Sequence, residues 1–141
     1  MNKRLKALAT LTRLQDRVLQ ARSAELVNLQ NMQNQVQASR DDLDRMRKEE
    51  CGVESLEGMI YVGRFIANVR KEDARLQQAE MALEGHVRDK RREVMSAYRD
   101  LKSTGFLSDR IKDRIQDEAE HRDRVEIDER NIISYARSSS G

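Results

Sequence analysis

Two groups of carboxylates, Asp41, Asp42 and Asp44 and, further on, Asp117, Glu118 and Glu120, come closest in this chain to the spacing of an acid–base pair. Acid–base catalysis needs a concave, water-poor site that separates two carboxyl pKa values. His86 and His121 stand far apart on polar stretches, and the single cysteine, Cys51, has no histidine near it in sequence. A nucleophilic thiol needs a neighbouring base, and a zinc site needs His or Cys ligands about one helical turn apart. None of the six glycines is followed by the GK[ST] that lets backbone amides and a lysine hold a phosphate. The pattern argues against an enzyme, a bound metal and any cofactor. The carboxylate groups read as solvated helix faces.

The elements available to position such groups are long helices. Of 141 residues, 37% are charged, 38% hydrophobic and only 4% aromatic, with no proline. Good helix formers dominate, and the strongest helix breaker is missing. The 27 basic and 25 acidic residues leave a net charge of +2, mixed along the chain, so nucleic acid is not favoured as a partner. Lys3, Arg4 and Lys6, and the RDKRR run at 88–92, read as solvated faces. One cysteine permits no intrachain disulfide and suits a cytoplasmic setting. No apolar run approaches the roughly 18 to 20 residues that span a bilayer, and the N-terminus lacks the apolar core of a secretory signal. Direct membrane insertion is not expected.

Apolar spacing of 3 and 4 marks two coiled-coil arms. The first runs Leu11, Leu14, Val18 and Ala21, then Leu29, Met32, Val36, Leu43 and Met46, the two runs differing in phase by a four-residue stutter. This predicts helix 1 over about 3–50. The second arm keeps one phase: Ile66, Val69, Asp73, Leu76, Glu80, Leu83, Val87, Lys90, Val94, Ala97 and Leu101, then Thr104, Ser108, Ile111, Ile115, Glu118, Arg122, Val125, Glu129, Ile132 and Ala136. That predicts helix 2 over about 64–137, with a kink allowed at 103–108 around Gly105.

Between the arms, Gly52, Gly58 and Gly63 cluster beside the apolar run GMIYVGRFI, so the turn is expected over about 51–63. Helices joined so closely should pair antiparallel, each covering the other's apolar stripe. The fold class expected is all-α: a single domain over 1–141, an elongated antiparallel two-helix coiled coil, or α-helical hairpin. A first arm of about 48 residues covers the second only to about residue 108, which leaves roughly 43 Å of helix without an intrachain partner.

Two short landmarks stand on this layout, Phe65-Ile66 just after the bend and Asp128-Glu129, in VEIDERNI, before a small C-terminal stretch. With them the chain resembles the flagellar type III export protein FliJ family and, more distantly, its injectisome relatives of the YscO kind. The resemblance implies a fold like the central stalk of rotary ATPases. It also implies a cytoplasmic, non-enzymatic stalk and chaperone-escort component, peripheral to the inner membrane at the export apparatus. The joined helix ends would insert into the hexameric export ATPase and promote its assembly and activity. Other surfaces would contact the export-gate membrane protein and export chaperones.

Carried onto this sequence, the ATPase-facing end takes Leu5, Leu8, Leu11, Arg13, Arg17, Ile132 and Ile133, and the export-gate contact takes Phe65, Val69 and Leu76. In the resemblance's terms Phe65, off the 66/69/73/76 phase, is the most exposed of the gate residues. The chain is expected to be a monomer in isolation. The competing reading is a structural coiled-coil adaptor that dimerises or bridges cytoplasmic proteins without an ATPase role.

Overall fold

The structure, a computed structural model, describes residues 2–50 and 56–139. They form two helices, α1 (Asn2–Glu49) and α2 (Leu56–Ser139), packed antiparallel as a helical hairpin, with no strand among the described residues. The packing resolves into two compact units, Met1–Arg17 with Tyr98–Gly141, and Val18–Ala97. At the end of α1 the Glu50 N–H donates to the Met46 carbonyl at 3.1 Å, and Arg47 and Lys48 in the last turn offset the partial negative charge of the free carbonyls.

Part of the turn expected over 51–63 is helix. α2 opens at Leu56 and contains Gly58 and Gly63, and no described glycine has a positive φ. Glycine costs a helix about 1 kcal/mol relative to alanine, a weak preference that packing overrides. Here Val62, Phe65 and Ile66 are half-buried, and the Tyr61 and Phe65 rings stack at 6.5 Å one turn apart. Cys51 and Gly52 lie outside the described residues.

Along α2 the sequence phase holds from Ile66 to Ile115. Its most buried apolar residues are Val69, Leu76, Val87 and Ala97, and Thr104 is buried with them, its hydroxyl donating to the Asp100 carbonyl at 3.0 Å. Helix continues without a break through 103–108. Gly105 is helical, and a Cβ placed there would meet nothing within 4 Å. Gly105→Ala is therefore expected to stabilise the fold by about 1 kcal/mol, chiefly by restricting the unfolded chain. An unchanged or lowered midpoint in thermal denaturation would contradict this.

α1 differs from the expectation. The positions turned towards α2 are Leu5, Leu8, Thr12, Gln15, Leu19, Arg22, Leu26, Leu29, Gln33, Val36, Arg40 and Leu43, all half-buried and all in one unbroken 3,4 phase. There is no stutter. Leu11, Leu14 and Val18, assigned to the seam from apolar spacing, are exposed. Polar residues at five of these twelve seam positions, Thr12, Gln15, Arg22, Gln33 and Arg40, hid the phase. Thr12 satisfies its hydroxyl within the helix, donating to the Leu8 carbonyl at 2.8 Å, and Arg22 and Arg40 reach acids on α2.

Coverage of α2 also extends further than length alone predicts. In the unit Val18–Ala97, Leu43 and Arg47 lie against Val69 and Arg70, and Glu25 is bonded to Lys90. In the other unit, Asn2 and Lys3 lie against Ile115 and Glu118. The last turn of α1 is thus level with Val69 rather than with the start of α2, which shifts the register towards the C-terminus. The last half-buried residue is Ala119, and every residue from 121 to 139 is exposed.

Candidate interaction surfaces

Inside the unit Val18–Ala97, charge at seam positions ties the helices together. Arg40 donates from Nε to Asp73 Oδ1 at 2.9 Å and from Nη1 to Glu80 Oε2 at 2.6 Å. These bonds, that to Asp73 foremost, raise the guanidinium pKa above its ordinary value. Lys90 Nζ donates to Glu25 Oε2 at 2.5 Å and to Glu93 Oε2 at 2.7 Å, and Arg22 Nη1 stands 3.4 Å from Glu93. The bond to Glu25, then that to Glu93, raises the Lys90 pKa, while the same lysine holds both carboxyls below their ordinary range. Asp73, Glu80 and Lys90 were legible as seam positions on α2. Their partners on α1, Arg40 for Asp73 and Glu80 and Glu25 for Lys90, were missed because neither was among the seam positions assigned to α1.

These pairs fix a pH dependence. The stability contributed by lowered Glu25 and Glu93 is complete above the ordinary carboxyl value of 4.5 and is lost as pH falls below it towards the folded value. The contribution of raised Lys90 is complete below its ordinary 10.5 and is lost only as pH rises beyond it. The melting midpoint should therefore be flat from about pH 6 to 9 and fall below about pH 4.5, more steeply at low salt. Replacing Glu25 and Glu93 with Gln should flatten the acid limb. An acid limb identical in that variant would contradict the assignment.

Four of the clustered carboxylates, Asp41, Asp42, Asp44 and Glu120, are engaged with neighbours on their own helix. Asp44 accepts from Arg47 at 3.0 Å and lies 3.1 Å from Lys48, Asp42 is paired with Arg45, and Asp41 accepts from Gln37 at 3.1 Å. Gln116 donates to Glu120 at 3.3 Å. His86 and His121 are exposed, and no cluster of three potential metal ligands occurs among the described residues. None of the described helices is long and apolar enough to cross a membrane.

Of the residues assigned to the export gate, Phe65 is half-buried beside Tyr61, whereas Val69 and Leu76 are each 8% exposed and belong to the packed seam. Phe65 is the most accessible of the three, though not fully exposed. The residues assigned to the ATPase-facing end all fall in the unit Met1–Arg17 with Tyr98–Gly141. Leu5 and Leu8 are half-buried in the seam, Leu11, Arg13 and Arg17 are exposed, and Ile132 and Ile133 are exposed in the last turns of α2. They sit at the free ends of the helices.

The profile of the flagellar FliJ protein family matches residues 4–140, which takes in both helices and both landmarks, Phe65-Ile66 and Asp128-Glu129. The chain belongs to the flagellar FliJ protein family. Comparison with curated proteins and with solved structures returned no match. As a FliJ-family member the chain is a component of the flagellar protein export apparatus. The hairpin and the heptad seam are the scaffold on which this FliJ-family chain carries its exposed surfaces.

Proposed function

We propose that the chain acts in the cytoplasm as a non-enzymatic docking component of flagellar export, binding the hexameric export ATPase with the free ends of its helices and promoting its assembly. One observation carries this reading. Residues 121–139 form helix exposed on every side, yet they present Val125, Ile132 and Ile133. A lone helix with such a stripe is marginal in water and gains stability from a partner. Arg13 and Arg17 supply charge beside Leu11 at the other free end. The free ends, rather than the joined end, are assigned the insertion. Mixing the chain with the cognate export ATPase should raise the fraction of hexamer in light scattering. An unchanged mass distribution with both proteins folded would count against the proposal.

The contact with the export-gate membrane protein is assigned to Phe65, with Val69 and Leu76, packed in the seam further along α2, holding the helix that presents it. Phe65→Ala should weaken gate binding at least about tenfold while leaving helicity intact, as expected of an aromatic anchor. Leu76→Ala should lower the melting midpoint first. If Phe65→Ala instead unfolds the hairpin, its role is packing. Export chaperones are assigned as further partners on family grounds alone.

A further inference from the structure

On one flank of the unit Met1–Arg17 with Tyr98–Gly141, both helices carry exposed leucine beside arginine that makes no ion pair among the described residues. Leu11 immediately precedes seam residue Thr12, and Leu107 immediately precedes seam residue Ser108; Arg4 and Arg114 hold the same place before Leu5 and Ile115. In an antiparallel pair these preceding positions share a flank. Glu25 and Glu93, which precede Leu26 and Val94, do so visibly, since one lysine bonds both. With Asn2 and Lys3 against Ile115 and Glu118, the register sets Leu11 level with Leu107. Leu11, Leu14 and Leu107 are 42%, 53% and 52% exposed. Arg4, Arg110 and Arg114 make no ion pair among the described residues, whereas Arg22, Arg40 and Lys90 all do.

We propose that this flank docks an amphipathic helix of a partner protein whose apolar stripe is bordered by Asp or Glu. Leu11 and Leu14, three residues apart, and Leu107 on the other helix offer a short apolar stripe, and Arg4, Arg110 and Arg114, without an ion pair among the described residues, offer the complementary charge. Asp100 lies at one end of the flank; at the other, Asp117 and Glu118 line one hollow with Arg114 without an ion pair to it among the described residues. Residues 2–17 of α1 add Lys3, Lys6, Arg13 and Arg17 against the single acid Asp16, so a second copy docked through this same flank would meet like charge. A lipid surface is the alternative occupant that vesicles test against, since Phe106, 67% exposed, stands beside Leu107 and one turn before Arg110. The proposal rests on the reading of the free ends as a docking end, and adds the chemistry of what docks there.

The test is fluorescence anisotropy of the full chain with a labelled synthetic helix of about 20 residues, long enough to hold helical structure, bearing a leucine stripe bordered by Glu. A counterpart bordered by Lys and vesicles of phosphatidylserine are the comparisons. The Glu peptide should bind, and Arg110→Glu with Arg114→Glu should weaken it at least about tenfold while strengthening binding of the Lys peptide. The double variant's melting curve should be unchanged. Failure of the Glu peptide to bind, equal binding of both peptides, or tighter binding to the vesicles would overturn the proposal. ATP hydrolysis does not enter this measurement. Failure here leaves ATPase docking standing, and loss of hexamer promotion with intact peptide binding overturns that reading alone.

Discussion

Val87→Asp is expected to abolish cooperative melting of the hairpin near room temperature. Val87 is the most buried apolar residue of the seam, at 4% exposure. Removing its burial forfeits about 1.5 kcal/mol or more, and placing a carboxylate there adds a desolvation cost of about several kcal/mol. Lys90, one turn on, is already bonded to Glu25 and Glu93 and cannot freely compensate. Small domains are stable by only about 5 to 15 kcal/mol, and a seam with five buried residues among those described, none of them on α1, belongs at the low end. Met81→Asp is the control: Met81 is 65% exposed, and the change should stay within about 0.5 kcal/mol. Circular dichroism during heating reads both. Equal curves for the two variants would mean that the seam phase is wrong.

Removing residues 121–141 is expected to do the opposite, sparing the fold and removing the function. No side chain from 121 to 139 is buried, and the ion pairs that join the helices involve residues well before this segment. The melting midpoint should therefore move by no more than about 1 °C, since surface changes alter stability little. Promotion of the export ATPase should be lost, because Val125, Ile132 and Ile133 leave with the segment. A truncated chain that melts much earlier would show that the exposed helix supports the hairpin. One that promotes the ATPase fully would move the docking surface elsewhere.

The hairpin and the phase of α2 were legible because α2 repeats large apolar residues at most seam positions from Ile66 to Ile115, so periodicity alone fixes the face. α1 was not. Its seam alternates Leu with Thr12, Gln15, Arg22, Gln33 and Arg40, while Leu11, Leu14 and Val18 stand on a flank. A rule that follows apolar residues must jump from flank to seam, and the jump looked like a stutter. Arg22 and Arg40 occupy seam positions because their long stems cover the interface while the charged ends reach Glu93, Asp73 and Glu80. The signal was available in charge: Asp73, Glu80 and Lys90 at seam positions of α2 call for opposite charge across the pair. Three glycines suggested a long turn, yet helix propagates from the packed residues Phe65 and Ile66 back through Gly58. Of the residues assigned to partners, Leu11, Arg13, Arg17, Ile132 and Ile133 are exposed, Phe65, Leu5 and Leu8 are half-buried, and Val69 and Leu76 are packed inside.

ATP hydrolysis by the cognate export ATPase, measured with and without an equimolar amount of the purified chain, tests the central claim most directly. Docking of the free helix ends predicts a higher rate with the intact chain, and the basal rate with the chain lacking residues 121–141. A rate that the intact, folded chain leaves at its basal level would contradict the account.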